Sequence, residues 1–113
     1  MHEMSLAESV LQIAEQAAKT QGFVRVKAIW LELGALAQVE VDAMRVCFDA
    51  VTRDSIAQGA RLEIVSIPGS AWCMPCCDTV PMQALYDHCP RCGSGQLLVT
   101  GGQEMRVREL EVE

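Results

Sequence analysis

The chain has 113 residues, half of them apolar and 21% charged, with a formal net charge of −6. That length supports one domain with room for a small satellite, and that apolar share can bury a core, which excludes wholesale disorder. The acidic balance argues against a nucleic-acid binder, which needs a basic face, and every apolar run is too short to span a bilayer.

The chain opens with a short polar lead. Ser5-Leu6-Ala7-Glu8 reads as a capping box, which predicts a helix over 5–20 with Leu6, Val10, Ile13, Ala14 and Ala17 on one face. Gly22 supplies its stop. Glu3, Glu8 and Glu15, with no basic run before the apolar stripe, exclude a secretory signal and predict a cytoplasmic protein. Phe23 to Leu33 predicts a strand that Gly34 ends. Its second half, Ile29-Trp30-Leu31, is apolar on both faces. Val41, Met44, Phe48 and Val51 recur at helical spacing, which predicts a helix over 40–54 with Cys47 in the core. Arg61 to Ile67 alternates as a strand. The strand–helix–strand order over 23–67 makes those two strands parallel neighbours.

Pro68-Gly69-Ser70 marks a change of chemistry. Residues 71–95 hold five of the six cysteines and three of the four prolines, without periodicity. This segment is expected to lack a hydrophobic core of its own. Gly101-Gly102 closes it. Glu104 to Glu113 alternates again and slips phase between Val107 and Leu110, as at a bulge. The expected fold is α+β: a small mixed three-stranded sheet with two helices, and an inserted zinc-ribbon module. Residues 1–69 and 101–113 form the main α/β domain, and 70–100 the insertion.

Cys73-Met74-Pro75-Cys76 and Cys89-Pro90-Arg91-Cys92 stand twelve residues apart. Two CxxC turns joined by a hairpin can place four thiolates tetrahedrally around Zn(II). Four sulfurs leave no open position, so the zinc is structural and supplies folding energy. Cys77 reads as a bystander thiol and His88 as an exposed histidine. A single CxxC would suggest a thiol oxidoreductase, but two pairs in a coreless segment favour metal.

At the amino terminus, the bulk of His2 is expected to keep Met1 in place. The amine, the His2 backbone nitrogen and its imidazole then fall within chelate reach of one ion, and Glu3 adds a carboxylate and another backbone nitrogen. Nitrogen-rich planar sets suit Ni(II) or Cu(II) rather than Mg(II) or Ca(II). No catalytic constellation or phosphate loop is visible, so the expectation is a binding protein and not an enzyme.

Met1-His2-Glu3, the α-β-α-β order and the two CxxC pairs together resemble the HypA/HybF nickel metallochaperones, accessory proteins of NiFe-hydrogenase maturation. Trp30-Leu31-Glu32-Leu33-Gly34 and the stretch from Cys47-Phe48-Asp49 through Gly59-Ala60-Arg61-Leu62 are also similar to that family. The resemblance covers essentially the whole chain. It implies one Ni(II) as cargo at His2 and Glu3, with Met1 as amine donor, and one structural Zn(II) at Cys73, Cys76, Cys89 and Cys92. It implies work with a HypB-type GTPase and delivery to the hydrogenase large-subunit precursor; some members also serve urease. Members with a pH-responsive zinc site carry a His after each pair; here those positions are Cys77 and Gly93. The alternatives from the residues alone are a zinc-ribbon interaction module and a CxxC oxidoreductase.

Overall fold

A computed structural model describes residues 2–113, which fall into two compact units. The first comprises residues up to Leu31, Val39–Val65 and Arg106–Glu113. The second comprises Glu32–Gln38 and Ser66–Met105.

In the first unit, α1 (Glu3–Gln21) buries Ala7, Val10 and Ala14, three positions of one helical face. It begins two residues earlier than the sequence predicts. His2 is the N-cap, and its carbonyl accepts the Leu6 N–H at 3.1 Å. Ser5 lies inside the first turn and caps nothing. The reason is tertiary: the buried Glu3 carboxylate accepts the Glu40 N–H at 3.1 Å, which draws the first turn back past the expected capping box. Gly22 ends the helix as expected, at φ +80°.

The second helix, α2 (Val41–Val51), packs on α1 and buries Met44 and Phe48. Its N-cap is Glu40, whose side chain accepts the Asp42 N–H at 3.1 Å. It stops short of residue 54 because the Thr52 hydroxyl donates to the Phe48 carbonyl at 2.8 Å and Asp54 turns the chain at φ +60°. Cys47 was expected in the core. It is only half-buried, because Met44 and Phe48 take the centre of the stripe and leave it on the flank.

β1 (Val26–Gly34) is central in a three-stranded sheet, between β2 (Arg61–Ile67) and β6 (Met105–Val112). The Ala35 N–H reaches the Ile67 carbonyl at 2.8 Å, so β1 and β2 end together and are parallel. Glu113 exchanges bonds with Val24 and Arg25, while Gly34 donates to Glu104, so β6 runs antiparallel to β1. The sheet is therefore mixed, as the α-β-α-β order predicts. In β6 the half-buried positions are 105, 107 and 110, with the phase slip seen in the sequence.

The second unit corrects one expectation. The cysteine segment is not coreless: β3 (Gly69–Cys73) pairs antiparallel with both β4 (Asp78–Met82) and β5 (Leu97–Gly101) in a second three-stranded sheet. Leu36, Ala71 and Met82 are buried together under it, with Leu85, Leu97 and Val99 packed around them. Sequence reading missed this core because Ala71 and Met82 find their partner Leu36 in a distant stretch of sequence, so no local period marks them. Gly102, at φ +92°, lies against the backbone of Gly69 so closely that a Cβ would collide with it.

Candidate metal centres

Three strand ends build the cysteine site. Cys73 is the last residue of β3, opposite Asp78 of β4 and Leu97 of β5. Cys76 follows in the turn to β4, and Cys89 and Cys92 lie in the loop between β4 and β5. In the second pair, Gly93 donates to the Cys89 carbonyl at 2.8 Å and Cys89 to Ser94 at 2.8 Å, which curls the loop around its own sulfurs. The Arg91 N–H points at Cys89 Sγ, 3.4 Å away. In the first pair, Cys77 donates to Met74 at 3.3 Å, and Met74 is pinned to Gln96 at 3.1 Å.

The four sulfurs all lie within 4.8 Å of one another. Cys73 and Cys92 are 3.6 Å apart, and Cys76 and Cys89 are 3.9 Å apart. A Zn–S bond of about 2.3 Å gives a tetrahedron with edges of about 3.8 Å, so the donor set fits zinc in number, kind and spacing. Cys73 and Cys89 are buried, and Cys76 is half-buried.

The thiols do not share one acidity. The Cys92 and Arg91 backbone N–H groups hold Cys89 down at about 6, against burial. Cys76 is pushed up to about 12, first by its contacts with the Cys92 and Cys73 sulfurs and then by burial. Cys73 also lies high: the Cys76 N–H pulls it down, but burial and the other sulfurs outweigh that. Four thiolates this close cannot all ionise unaided; a divalent cation removes that penalty.

Cys77 is not part of the cluster. It is exposed, and its thiol turns back to the Met74 carbonyl at 3.4 Å. His88 lies near Gly95 instead of among the sulfurs. Sequence reading missed the ion pair of Arg91 with Asp78, 2.8 Å, which ties the second cysteine pair to the start of β4. Its only signal was an acid and a base placed beside opposite cysteine pairs.

At the amino terminus, His2 is exposed on the end of α1. Glu3 is buried at 8% exposure, and its carboxyl is held down at about 2, chiefly by the Glu40 N–H. That carboxylate therefore works as a clamp between the starts of the two helices. Met1 lies outside the described residues. The amino-terminal residues belong to the first unit and the cysteine site to the second.

A family model described as hydrogenase/urease nickel incorporation, metallochaperone, hypA matches residues 1–112. A hydrogenase maturation factor HypA from Albidiferax ferrireducens is 64% identical over 113 residues, all of both chains. One of the same name from Azotobacter vinelandii is 58% identical, again over both full chains. Among solved structures, the Ni metallochaperone HypA from Helicobacter pylori aligns with a TM-score of 0.71 and 25% identity, covering 99% of this chain and 97% of that one.

Proposed function

Since the chain belongs to the HypA family of nickel-incorporation metallochaperones, which are not enzymes, we propose that it carries Ni(II) at its amino terminus and hands it to the NiFe-hydrogenase large-subunit precursor. A HypB-type GTPase is its partner in that transfer, and the cytoplasm is its compartment. The observation that carries this reading is the setting of His2. Its imidazole is exposed at the start of a helix whose first turn is clamped by Glu3 to Glu40, so a ligand at the very end of the chain rests on a folded body.

Beside its carboxylate, whose Oε2 accepts the Glu40 N–H, Glu3 offers its backbone nitrogen as a donor. Amides of a first helical turn have no carbonyl four residues back, so giving one to a metal breaks no helical bond. The Met1 amine, the His2 amide and the His2 imidazole complete a nitrogen set suited to Ni(II). Such an open chelate releases its ion by stepwise ligand exchange, which a carrier needs. Cys73, Cys76, Cys89 and Cys92 hold a structural zinc that braces the second unit, in the domain division 1–69 with 101–113 and 70–100.

Calorimetric titration of untagged protein with Ni(II) tests the reading. His2→Ala should abolish specific binding while zinc content stays the same. Residues added before Met1 should weaken binding if the amine is a ligand. Undiminished affinity in His2→Ala would move nickel away from the terminus and overturn the mechanism.

A further inference from the structure

The second unit is poor in positive charge. Arg91 is the sole Lys or Arg in residues 32–38 and 66–105, against Glu32, Asp78, Asp87 and Glu104. That one cation stands inside the second cysteine pair, between Cys89 and Cys92. Its guanidinium has a fixed partner: Nη1 donates to Asp78 Oδ2 at 2.8 Å, and Asp78 lies opposite Cys73 in the β3–β4 register. The other carboxylate oxygen of Asp78 accepts the Thr79 N–H at 2.8 Å, which fixes the carboxylate on its strand. The guanidinium holds its proton more firmly than usual, first through Asp78, with charge on Cys76 and Cys89 adding in the same direction. It is thus within electrostatic reach of one sulfur from each pair.

Zinc changes the charge at this site. Four thiolates around one divalent ion make a dianion, whereas sulfurs this close take up protons when no cation holds them. A neighbouring positive charge therefore stabilises the loaded site more than the empty one. It also opposes protonation of a thiolate, the step that lets the metal go. The Arg91 backbone N–H reaches Cys89 Sγ at 3.4 Å, but any residue other than proline supplies that group. The charge depends on the side chain.

We propose that Arg91 is the counter-cation of the zinc–thiolate cluster, and that its guanidinium slows loss of the metal by its charge instead of by strapping the loop to β4. The proposal rests on the zinc reading of the four cysteines. Both side chains of the ion pair are 57% exposed, so solvent screens them and the effect on release is modest, about two- to fivefold.

Zinc release from the untagged, zinc-loaded full chain to an excess of an uncharged chelator tests this, with zinc per chain measured beforehand. Arg91→Gln keeps the backbone N–H and loses the charge. It should release zinc about two- to fivefold faster than wild type, and the gap should close in about 1 M salt, where the screening length falls to about 3 Å. Arg91→Lys keeps the charge and should stay near the wild-type rate. Asp78→Asn breaks the ion pair but leaves the cation on its residue, so it should release zinc no faster than wild type. Equal rates for wild type and Arg91→Gln would overturn the proposal, as would a gap that survives high salt. So would an Arg91→Lys protein, or an Asp78→Asn protein, as fast as Arg91→Gln; the latter result would make the ion pair a strap. A wild type that holds no zinc would instead overturn the four-cysteine zinc reading, and the counter-cation with it.

Discussion

Cys77 and Gly93 each follow the second cysteine of a pair, and both have positive φ, +50° and +76°. The two loops thus use the same backbone device to bring their sulfurs to one point. Glycine adopts that conformation without strain, whereas a residue with a Cβ is disfavoured there by about 1 kcal/mol or more. Cys77 carries that cost for a thiol that is exposed and outside the sulfur cluster. Cys77→Gly should therefore raise the stability of the zinc-loaded protein by up to about 1 kcal/mol, part of the relief being lost to the freer unfolded chain. Thermal unfolding at matched zinc content measures it. A clear fall in Tm would show that the Cys77 side chain contributes something its contacts do not reveal.

At the scale of elements, the clamp between α1 and α2 is an acid–base device with a definite sign. Glu3 has its carboxyl depressed from 4.5 to about 2 by the Glu40 N–H. Its contribution is fully present above pH 4.5 and is lost as pH falls from there toward about 2. Glu3→Gln should be less stable than wild type at neutral pH, and the gap should close on acidification through that window. Unfolding midpoints followed down in pH give the two curves, and parallel curves would rule the clamp out. The same contact shows where sequence reading stopped short. Helices α1 and α2, β1, β2 and β6 were legible because their apolar positions repeat at 3.6 or 2, and Gly22 announced a helix end. The first turn of α1 was not, because Ser5 and Glu8 carry a local capping signal while the deciding partner, Glu40, lies 37 residues away. β3 and β5 escaped for a related reason. Ala71, Val99 and Leu97 find their core partner Leu36 in a distant stretch of sequence, so no local period marks them. The sulfur cluster was legible because the spacing of the pairs is itself the geometry.

On the proposed reading the chain divides its metal chemistry between its two units: a nitrogen-rich terminus on the first, while the four-sulfur cluster lies in the second. The second unit has a small core, Leu36, Ala71 and Met82, which is too little to hold three short strands and a long loop by burial alone. Structural zinc in small modules is worth on the order of 10 kcal/mol or more at neutral pH, so the proposed zinc would provide most of its stability. Cys73 and Cys89 are buried, and with no cation among the four sulfurs their acidities are unequal, Cys73 lying high and Cys89 held down at about 6. Cys73→Ser or Cys92→Ser should therefore release zinc and loosen β3, β4 and β5. The helices have their own core in Ala7, Val10, Met44 and Phe48, so helical circular dichroism should largely persist. No proposed nickel donor is a cysteine, so a chelate built on His2 should keep its Ni(II) affinity within a few-fold in the same variants. Zinc content per chain, amide exchange of the second unit and nickel titration separate these outcomes. A tightly bound zinc retained in both variants would refute the four-cysteine site, and nickel binding lost along with the zinc would place the cargo in the cysteine cluster instead of at the amino terminus.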